Sequence, residues 1–136
     1  MRPILIDANA YVAFKQGRAD ALDVFRQAPT IGVNVIVLGE LLAGFAVGTV
    51  EEQNRSELAA FLTSPRVQIV PLDQETARQY AIIYAALRKA ATPIPTNDMW
   101  VAASALQHGL ALFSYDHHFQ AVEGLRIGTN VSELGR

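Results

Sequence analysis

The sequence predicts an α/β fold, a three-layer sandwich in which helices cover both faces of a central, mostly parallel sheet. Short apolar runs of three or four residues alternate along the chain with longer segments of helical periodicity. Uninterrupted apolar strands are typical of parallel sheets, because both faces of such a sheet are buried. The 136 residues, 51% of them apolar and 18% charged, indicate one globular domain that spans residues 1–136.

The N-terminal half predicts two strands and four helices. The apolar run 3–6 indicates a buried strand that ends at Asp7. Asn9 is expected to cap a short helix that continues to residue 14, and Gly17 ends it. Apolar spacing, caps and breakers predict the other elements of this half: a helix over 19–27, a strand over 30–33, a helix over 35–47 capped by Asn34, and a helix over 51–62.

The C-terminal half predicts three strands separated by helices. Alternating residues indicate a strand over 67–70, and Asp73 caps the longest helix, whose apolar side chains recur at helical spacing to Leu87. Two prolines make residues 92–95 an irregular connector. The same criteria predict the remaining elements: a helix over 98–107 capped by Thr96 or Asn97 and ended by Gly109, a strand over 110–113, a short helix after Asp116, and a strand over 125–127.

Charge and cysteine content exclude several classes of function. Eleven basic and 13 acidic residues give a net charge of −2, which argues against a protein that binds nucleic acid mainly by non-specific electrostatic attraction. Because cysteine is absent, the chain has no disulfide framework, thiolate zinc site or cysteine nucleophile. The apolar segment 33–50 has Glu40 at its centre and lacks the end anchors of a membrane span. We therefore expect a soluble, cytoplasmic protein with no membrane partner.

Four acidic residues are candidates for a functional site: Asp7, Glu40, Asp98 and Asp116. Asp7 and Asp116 follow predicted strands and Asp98 begins a predicted helix, and each also suits an ordinary turn or capping role. Glu40 is the only ionisable residue in the segment 27–50, and an unpaired carboxylate buried in such a helix is costly. The alternative is that Glu40 lies on one solvated edge of its helix.

Taken together, the four acids indicate a metal site. Ligands of open parallel sheets bind beyond the carboxyl ends of the strands, where these residues are expected to converge. Carboxylates gathered in one place repel each other, so a proton or a cation must neutralise them. Oxygen ligands without cysteine or a histidine pair favour Mg²⁺ or Mn²⁺ over zinc. Phosphodiester hydrolysis is the chemistry that most often uses such a site.

Four segments of the sequence, in order, resemble the PIN domain, the nuclease fold of VapC-type toxins in bacterial toxin–antitoxin pairs. They are ILIDAN (4–9), LGEL (38–41), IPTNDMWVAA (94–103) and LFSYDHHF (112–119). The resemblance implies a Mg²⁺- or Mn²⁺-dependent endoribonuclease that acts on RNA, forms a homodimer and is neutralised by a cognate antitoxin protein. By position, it implies an acidic site of Asp7, Glu40, Asp98 and Asp116, with Asn9 and Ser114 as its polar supports. One departure is Ala8, where many members have a hydroxyl residue.

The resemblance leaves several roles open. Asp7 and Asp98 are interpreted as ligands of the principal metal, and Asp116 as assisting them. Glu40 either binds metal or orients the attacking water, and one or two metals fit equally. For His117 and His118 an inert surface position is favoured over contact with RNA or a role in proton transfer.

Two other functions compete with the nuclease. One is a catalytically inactive binding module of the same fold, which would not need to keep carboxylates crowded together. The other is a phosphohydrolase with an aspartate nucleophile on a similar fold, which would need a second aspartate where the chain has Asn9.

Overall fold

The computed structural model describes residues 1–135. Within them, five parallel strands form one sheet in the order β3-β2-β1-β4-β5. The strands are β1 (Ile4–Ile6), β2 (Ile31–Asn34), β3 (Val67–Val70), β4 (Ala111–Phe113) and β5 (Ile127–Gly128). The helices are α1 (Ala8–Lys15), α2 (Ala19–Gln27), α3 (Val35–Ala46), α4 (Glu51–Leu62), α5 (Gln74–Ala90), α6 (Thr96–His108) and α7 (Val131–Leu134), and a 3₁₀ turn covers His117–Ala121.

The central strands are buried on both faces, which confirms the predicted α/β class. Every residue of β1, β2 and β4 is buried. A parallel sheet needs this coverage because its crossover helices lie over its faces. The sheet is all-parallel within residues 1–135, where a mostly parallel one was predicted.

The strand order changes direction between β1 and β4. Strands β2 and β3 follow β1 on one side, whereas β4 and β5 lie on the other. Ile6 pairs with Phe113 at the last position of these two strands, and the Asp7 amide donates to the Phe113 carbonyl over 3.4 Å. The residues that follow the two strands, Asp7 and Ser114, are therefore neighbours at the switch point, where sheets of this kind bind ligands.

Caps explain where most helices begin. Asn34, Asp73 and Asp116 each accept a backbone hydrogen bond at the start of the following helical segment, as predicted. At Asp73 the cap is reciprocal, because Thr76 also accepts from the Asp73 amide. Such caps satisfy amides that have no partner within the helix.

Three local predictions are wrong. Asp7, not Asn9, caps α1, because its carboxylate accepts from the Ala10 amide and the helix begins at residue 8. Neither Thr96 nor Asn97 caps α6: the helix begins at Thr96 after Pro95, whose fixed φ suits this entry. The last strand is Ile127–Gly128, two residues long, where 125–127 was predicted.

Helix α3 is less buried than its composition suggests. Only Val37 and Leu41 are classed as buried in this helix, and Val35 and Leu42 are among the large exposed apolar side chains. The helix therefore presents apolar groups to solvent. Among residues 1–135, the helices are too short or too polar to cross a bilayer.

Candidate active site

The Asp7 carboxylate is held rigidly at the end of β1. It is 7% exposed. Its Oδ1 accepts from the Ala10 amide over 2.9 Å, and its Oδ2 accepts from the Ser114 hydroxyl. The short strand before it is fully buried, so the carboxylate has little freedom to move. One side chain thus both caps α1 and faces the switch point.

Ser114 joins the ends of β1 and β4. Its hydroxyl donates to Asp7, and the same oxygen accepts from the Asp116 amide over 2.9 Å. Asp116 in turn accepts from the His118 amide over 2.9 Å. The serine therefore fixes the loop that carries Asp116 relative to Asp7.

Asp98 approaches Asp116 from the first turn of α6. The His118 Nδ1 lies 3.1 Å from Oδ2 of Asp98 and 3.0 Å from Oδ1 of Asp116. One ligand atom from each of these three side chains lies within 4.8 Å of the others. The imidazole thus occupies the space between the two carboxylates.

Glu40 belongs to the same group of charges, although its burial differs from the expectation. It is exposed on α3, so the solvated-edge interpretation is the one that the structure supports. Its pKa is nevertheless raised, by partial desolvation and then by the negative charges of Asp98 and Asp7. A hydrogen bond with the Asn97 side chain opposes this rise.

Asn9 is not brought into the cluster. Its side chain is exposed, and it makes no hydrogen bond to any other residue in the range 1–135. The reason is local: Asp7 takes the capping position, and Asn9 becomes the second residue of α1 on the solvent side. The structure shows no bond from the Asn9 side chain to the acids, and its role as a polar support stays a prediction.

Sequence reasoning missed two neighbours of the acids. His118 contacts both Asp98 and Asp116, although both it and His117 are exposed. These contacts speak against the inert surface position favoured for His118. Asn97 hydrogen-bonds Glu40. A usable signal for His118 was its place two residues after Asp116, where a capping aspartate accepts from the backbone and turns the chain back towards the site.

Burial, and then repulsion among the acids, raise the pKa of three of the four acids. Burial is the largest cause for Asp7, Glu40 and Asp98. The Ser114 and Ala10 hydrogen bonds lower the pKa of Asp7, and His118 lowers that of Asp98, but neither offsets the rise. Repulsion among the acids adds to the effect. The ionised cluster is therefore short of positive charge, which a bound cation would supply.

The donor set fits a divalent cation. Asp98, Asp116 and His118 place two carboxylate oxygens and one nitrogen close enough to share an ion, and Asp7 lies next to them. Carboxylate-rich sites suit Mg²⁺ and Mn²⁺, and an imidazole is more common around the heavier transition metals. The residues present can therefore hold such an ion through Asp98, Asp116 and His118, with Asp7 close enough to feel the charges of both aspartates.

Residues at the start of α2 also restrain the loop between Ser114 and Asp116. The Tyr115 hydroxyl donates to Asp20 over 2.7 Å, and the Arg18 guanidinium lies 4.1 Å from the ring centroid. Burial and the hydrogen bond to Asp20 raise the pKa of Tyr115 to about 12. The start of α2 thus holds the loop that joins Ser114 to Asp116.

An all-parallel sheet with acidic residues gathered at its switch point defines an α/β protein with a candidate metal centre. A family model for the PIN domain matches residues 4–125. The chain therefore belongs to the PIN domain family, as the resemblance of its motifs implies.

Curated relatives cover nearly the whole chain. Ribonuclease VapC4 of Mycobacterium tuberculosis is 28% identical over 129 residues, which are 95% of this chain and 98% of the relative. Ribonuclease VapC1 of Rickettsia felis is 30% identical over 130 residues, 93% of this chain and 95% of the relative. The similarity is thus spread over the whole domain and is not confined to a motif.

Solved structures show the same fold. VapBC2 of Rickettsia felis, bound to a DNA fragment from its promoter, has a TM-score of 0.81 at 23% identity and covers 94% of this chain and 98% of its own. VapBC-1 of nontypeable Haemophilus influenzae has a TM-score of 0.79 at 22% identity, with 94% and 97% covered. At this level of identity the likeness establishes the fold.

Proposed function

We propose that this chain is a metal-dependent endoribonuclease, the toxin of a VapBC-type toxin–antitoxin module, and that residues 1–136 form a single nuclease domain. The observation that carries the proposal is the convergence of four acids at the switch point: Asp7, Glu40, Asp98 and Asp116. Burial, and then mutual repulsion, raise the pKa values of Asp7, Glu40 and Asp98. The relatives named as VapC ribonucleases support it. The alternatives of an inactive binding module and a phosphohydrolase are not favoured.

The residues have distinct roles in this proposal. Asp7 and Asp98 hold the principal Mg²⁺ or Mn²⁺, and Asp116 assists them. When bound, the ion would activate water and stabilise negative charge on the attacked phosphate. Glu40 is the most solvent-exposed of the four acids, and its raised pKa suits a group that orients water and accepts a proton. Ser114 holds Asp7 and Asp116 in fixed positions relative to each other, because it hydrogen-bonds the Asp7 carboxylate and the Asp116 amide.

The test is cleavage of labelled, folded transfer RNA and ribosomal RNA fragments by the purified chain, with Mg²⁺, with Mn²⁺ and with a chelator. We expect discrete cuts with either ion and none with the chelator. Cuts that persist in excess chelator would contradict metal dependence. RNA binding without cuts under any ion condition would favour the inactive binding module instead.

Replacing Ser114 with alanine tests the support of Asp7 separately. The serine hydrogen bond lowers the pKa of Asp7, so its loss raises that pKa further and makes the carboxylate harder to ionise. Because metal ligands must be deprotonated, we expect Ser114→Ala to slow cleavage by about tenfold or more near neutral pH. The deficit should shrink as the pH rises. Ser132→Ala, an exposed serine on α7, is the matched control. A deficit that is equal at every pH would contradict this role.

The proposal includes an antitoxin partner and a homodimer in the cytoplasm. Solved complexes of the same fold come from toxin–antitoxin systems, which supports the antitoxin. Self-association would cover the large apolar side chains that the chain leaves exposed, because contiguous exposed apolar patches mark protein–protein contacts: Val35, Leu42, Val47, Val50, Ile69, Ile82 and Tyr84.

Light scattering at micromolar protein tests the homodimer. We expect twice the 14.8 kDa of the chain. Replacing Ile82 with glutamate, at 59% exposure, should return the mass to that of a monomer if α5 takes part in the interface. A monomeric mass for the unaltered chain over this concentration range would contradict the dimer.

A further inference from the structure

A cleft lies between α1, α3 and α4. Its volume is about 470 Å³, within the range of pockets that bind small ligands. Phe45 contributes an apolar wall from α3. The other walls are mainly polar and come from α1 and the adjoining turn and from α4: Lys15, Gln16, Gln53, Asn54 and Glu57.

Tyr11 lines this cleft, and its buried hydroxyl has no hydrogen-bond partner among the described residues. The side chain is 2% exposed, and its Oη finds no hydrogen bond anywhere in residues 1–135. A buried hydroxyl without a partner costs about 1–3 kcal/mol, and such groups in folded proteins call for an explanation. The ring packs edge-on against Phe61 with centroids 5.2 Å apart, which fixes where the hydroxyl points. Burial, and then Glu57, raise the pKa of Tyr11, so the group stays protonated and can donate.

The cleft and the acidic cluster are connected by α1, which begins after Asp7 and contributes Tyr11 to the cleft. The Tyr11 amide donates to the Asp7 carbonyl over 3.3 Å, so the two residues are one helical turn apart. This corresponds to about 6 Å along the axis of α1. That separation is on the scale of the distance from a phosphate to the base of a neighbouring nucleotide in a single strand. An RNA strand with one phosphate at the acids can therefore place a base in the cleft.

The charges of the cleft suit a base better than a phosphate. Lys15 and Glu57 form an ion pair of 3.3 Å and cancel each other, so the cleft offers no excess positive charge for a backbone phosphate. The amides of Gln53 and Asn54 each supply a donor and an acceptor, as base edges also do. Long, flexible side chains form much of the wall, so a bound base can displace them and reach the Tyr11 hydroxyl.

We propose that this cleft binds one nucleobase of the RNA next to the cleaved bond, and that Tyr11 determines which base is accepted through a hydrogen bond from its hydroxyl. The inference rests on the proposed nuclease function and adds a specificity subsite to it. Proteins that recognise RNA sequence commonly hydrogen-bond the edges of unstacked bases in single-stranded segments. A buried hydroxyl is well suited to this purpose, because a base that cannot pair with it leaves it unsatisfied.

The experiment compares the unaltered chain with Tyr11→Phe, which removes only the hydroxyl. Total bacterial RNA is cleaved with Mn²⁺, and the new 5′ ends are sequenced to give the base preference at each position around the cut. We expect Tyr11→Phe to relax the preference at one position and to lower kcat/KM on the preferred RNA by about threefold to tenfold. The thermal midpoint should stay equal or rise, since the lost group was unsatisfied.

Tyr84→Phe is the matched control, because Tyr84 is exposed on α5 and its hydroxyl interacts with Arg88. It should leave the base preference unchanged. Efficient cleavage by Tyr11→Phe with the base preference intact at every position would overturn the proposal. That result would favour a protein partner, instead of an RNA base, as the occupant of the cleft.

A binding experiment separates this proposal from the nuclease function. A pool of short randomised single-stranded RNAs is bound to Asp98→Asn, with and without Tyr11→Phe, and the retained RNAs are sequenced. Selective retention that disappears with Tyr11→Phe supports the base subsite even if the unaltered chain cuts no RNA, in which case only the nuclease function fails. Identical retained sequences for the two proteins would overturn the subsite.

Discussion

Asp98→Asn is expected to abolish RNA cleavage while the protein stays folded. Asp98 joins Asp116 and His118 in the group that can share a cation, and an amide oxygen is a much weaker ligand than a carboxylate. We expect the rate to fall by more than about 100-fold, because even residues that only orient ligands are worth 10–100-fold. Initial rates on a labelled RNA at saturating Mn²⁺ measure the effect.

The control is Asp23→Asn, an exposed aspartate on α2 that pairs with Arg26. It has the same change of charge and no contact with the site, so its rate should equal that of the unaltered chain. Undiminished cleavage by Asp98→Asn would remove Asp98 from the site. Equal losses in the two variants would indicate a general effect of charge.

The same substitution should stabilise the metal-free protein. Burial raises the pKa of Asp98 despite its contact with His118, so the folded state binds the proton more tightly than the unfolded state does. Stability from this group therefore falls as the pH rises from the ordinary pKa through the raised one, and it stays low above it. Asp98→Asn should melt a few degrees higher at pH 7 in chelator, and the advantage should vanish at acidic pH. Added Mn²⁺ should raise the midpoint of the unaltered chain more than that of the variant.

The second large effect is expected at Asn34. Its side chain is fully buried, accepts from the Val37 amide over 2.9 Å and donates to the Ser104 hydroxyl over 3.0 Å. Asn34→Ala removes the cap of α3 and leaves two buried polar groups without this partner. We expect unfolding free energy to fall by about 3 kcal/mol, from the cap and the unsatisfied groups together. Urea unfolding measures this change.

Asn130→Ala is the matched control for that prediction. Asn130 also caps a helix, α7, through the Glu133 amide, but it is only partly buried. Its loss should cost about 1 kcal/mol, the usual value of a cap. Similar losses in the two variants would show that the buried bond to Ser104 contributes little.

Local chemistry made much of the fold predictable. The short apolar runs before Asp7 and Asp116 are typical of parallel strands, which are buried on both faces of the sheet. The residues that end neighbouring parallel strands lie together at one edge of the sheet. Asn34 and Asp73 mark where α3 and α5 begin, because their short side chains accept hydrogen bonds from backbone amides that have no partner within the helix. These signals depend on near neighbours in the chain, so the sequence is enough to show them.

The features of the candidate site that the sequence does not predict depend on contacts between distant segments of the chain. The apolar composition of α3 predicts a buried Glu40, and the cost of burying a charge makes that residue a site candidate. In the structure α3 exposes Glu40 together with apolar neighbours. Composition alone does not tell which face of a helix is covered. His118 meets Asp98 across 20 residues, and no periodicity marks that meeting. The unpartnered hydroxyl of Tyr11 is visible only once the side chains around it are placed.

The hydrogen bond between Ser114 and Asp7 joins residues 107 positions apart, so it forms only after most of the chain has been synthesised. Pairing of β4 with β1 closes a loop of most of the chain, and such distant pairings form late because the entropy of the loop must be overcome first. A nascent chain that has not yet emerged through β4 lacks Ser114 and Asp116, so its acidic site is incomplete. The four acids therefore come together only when almost all of the chain has been synthesised and folded.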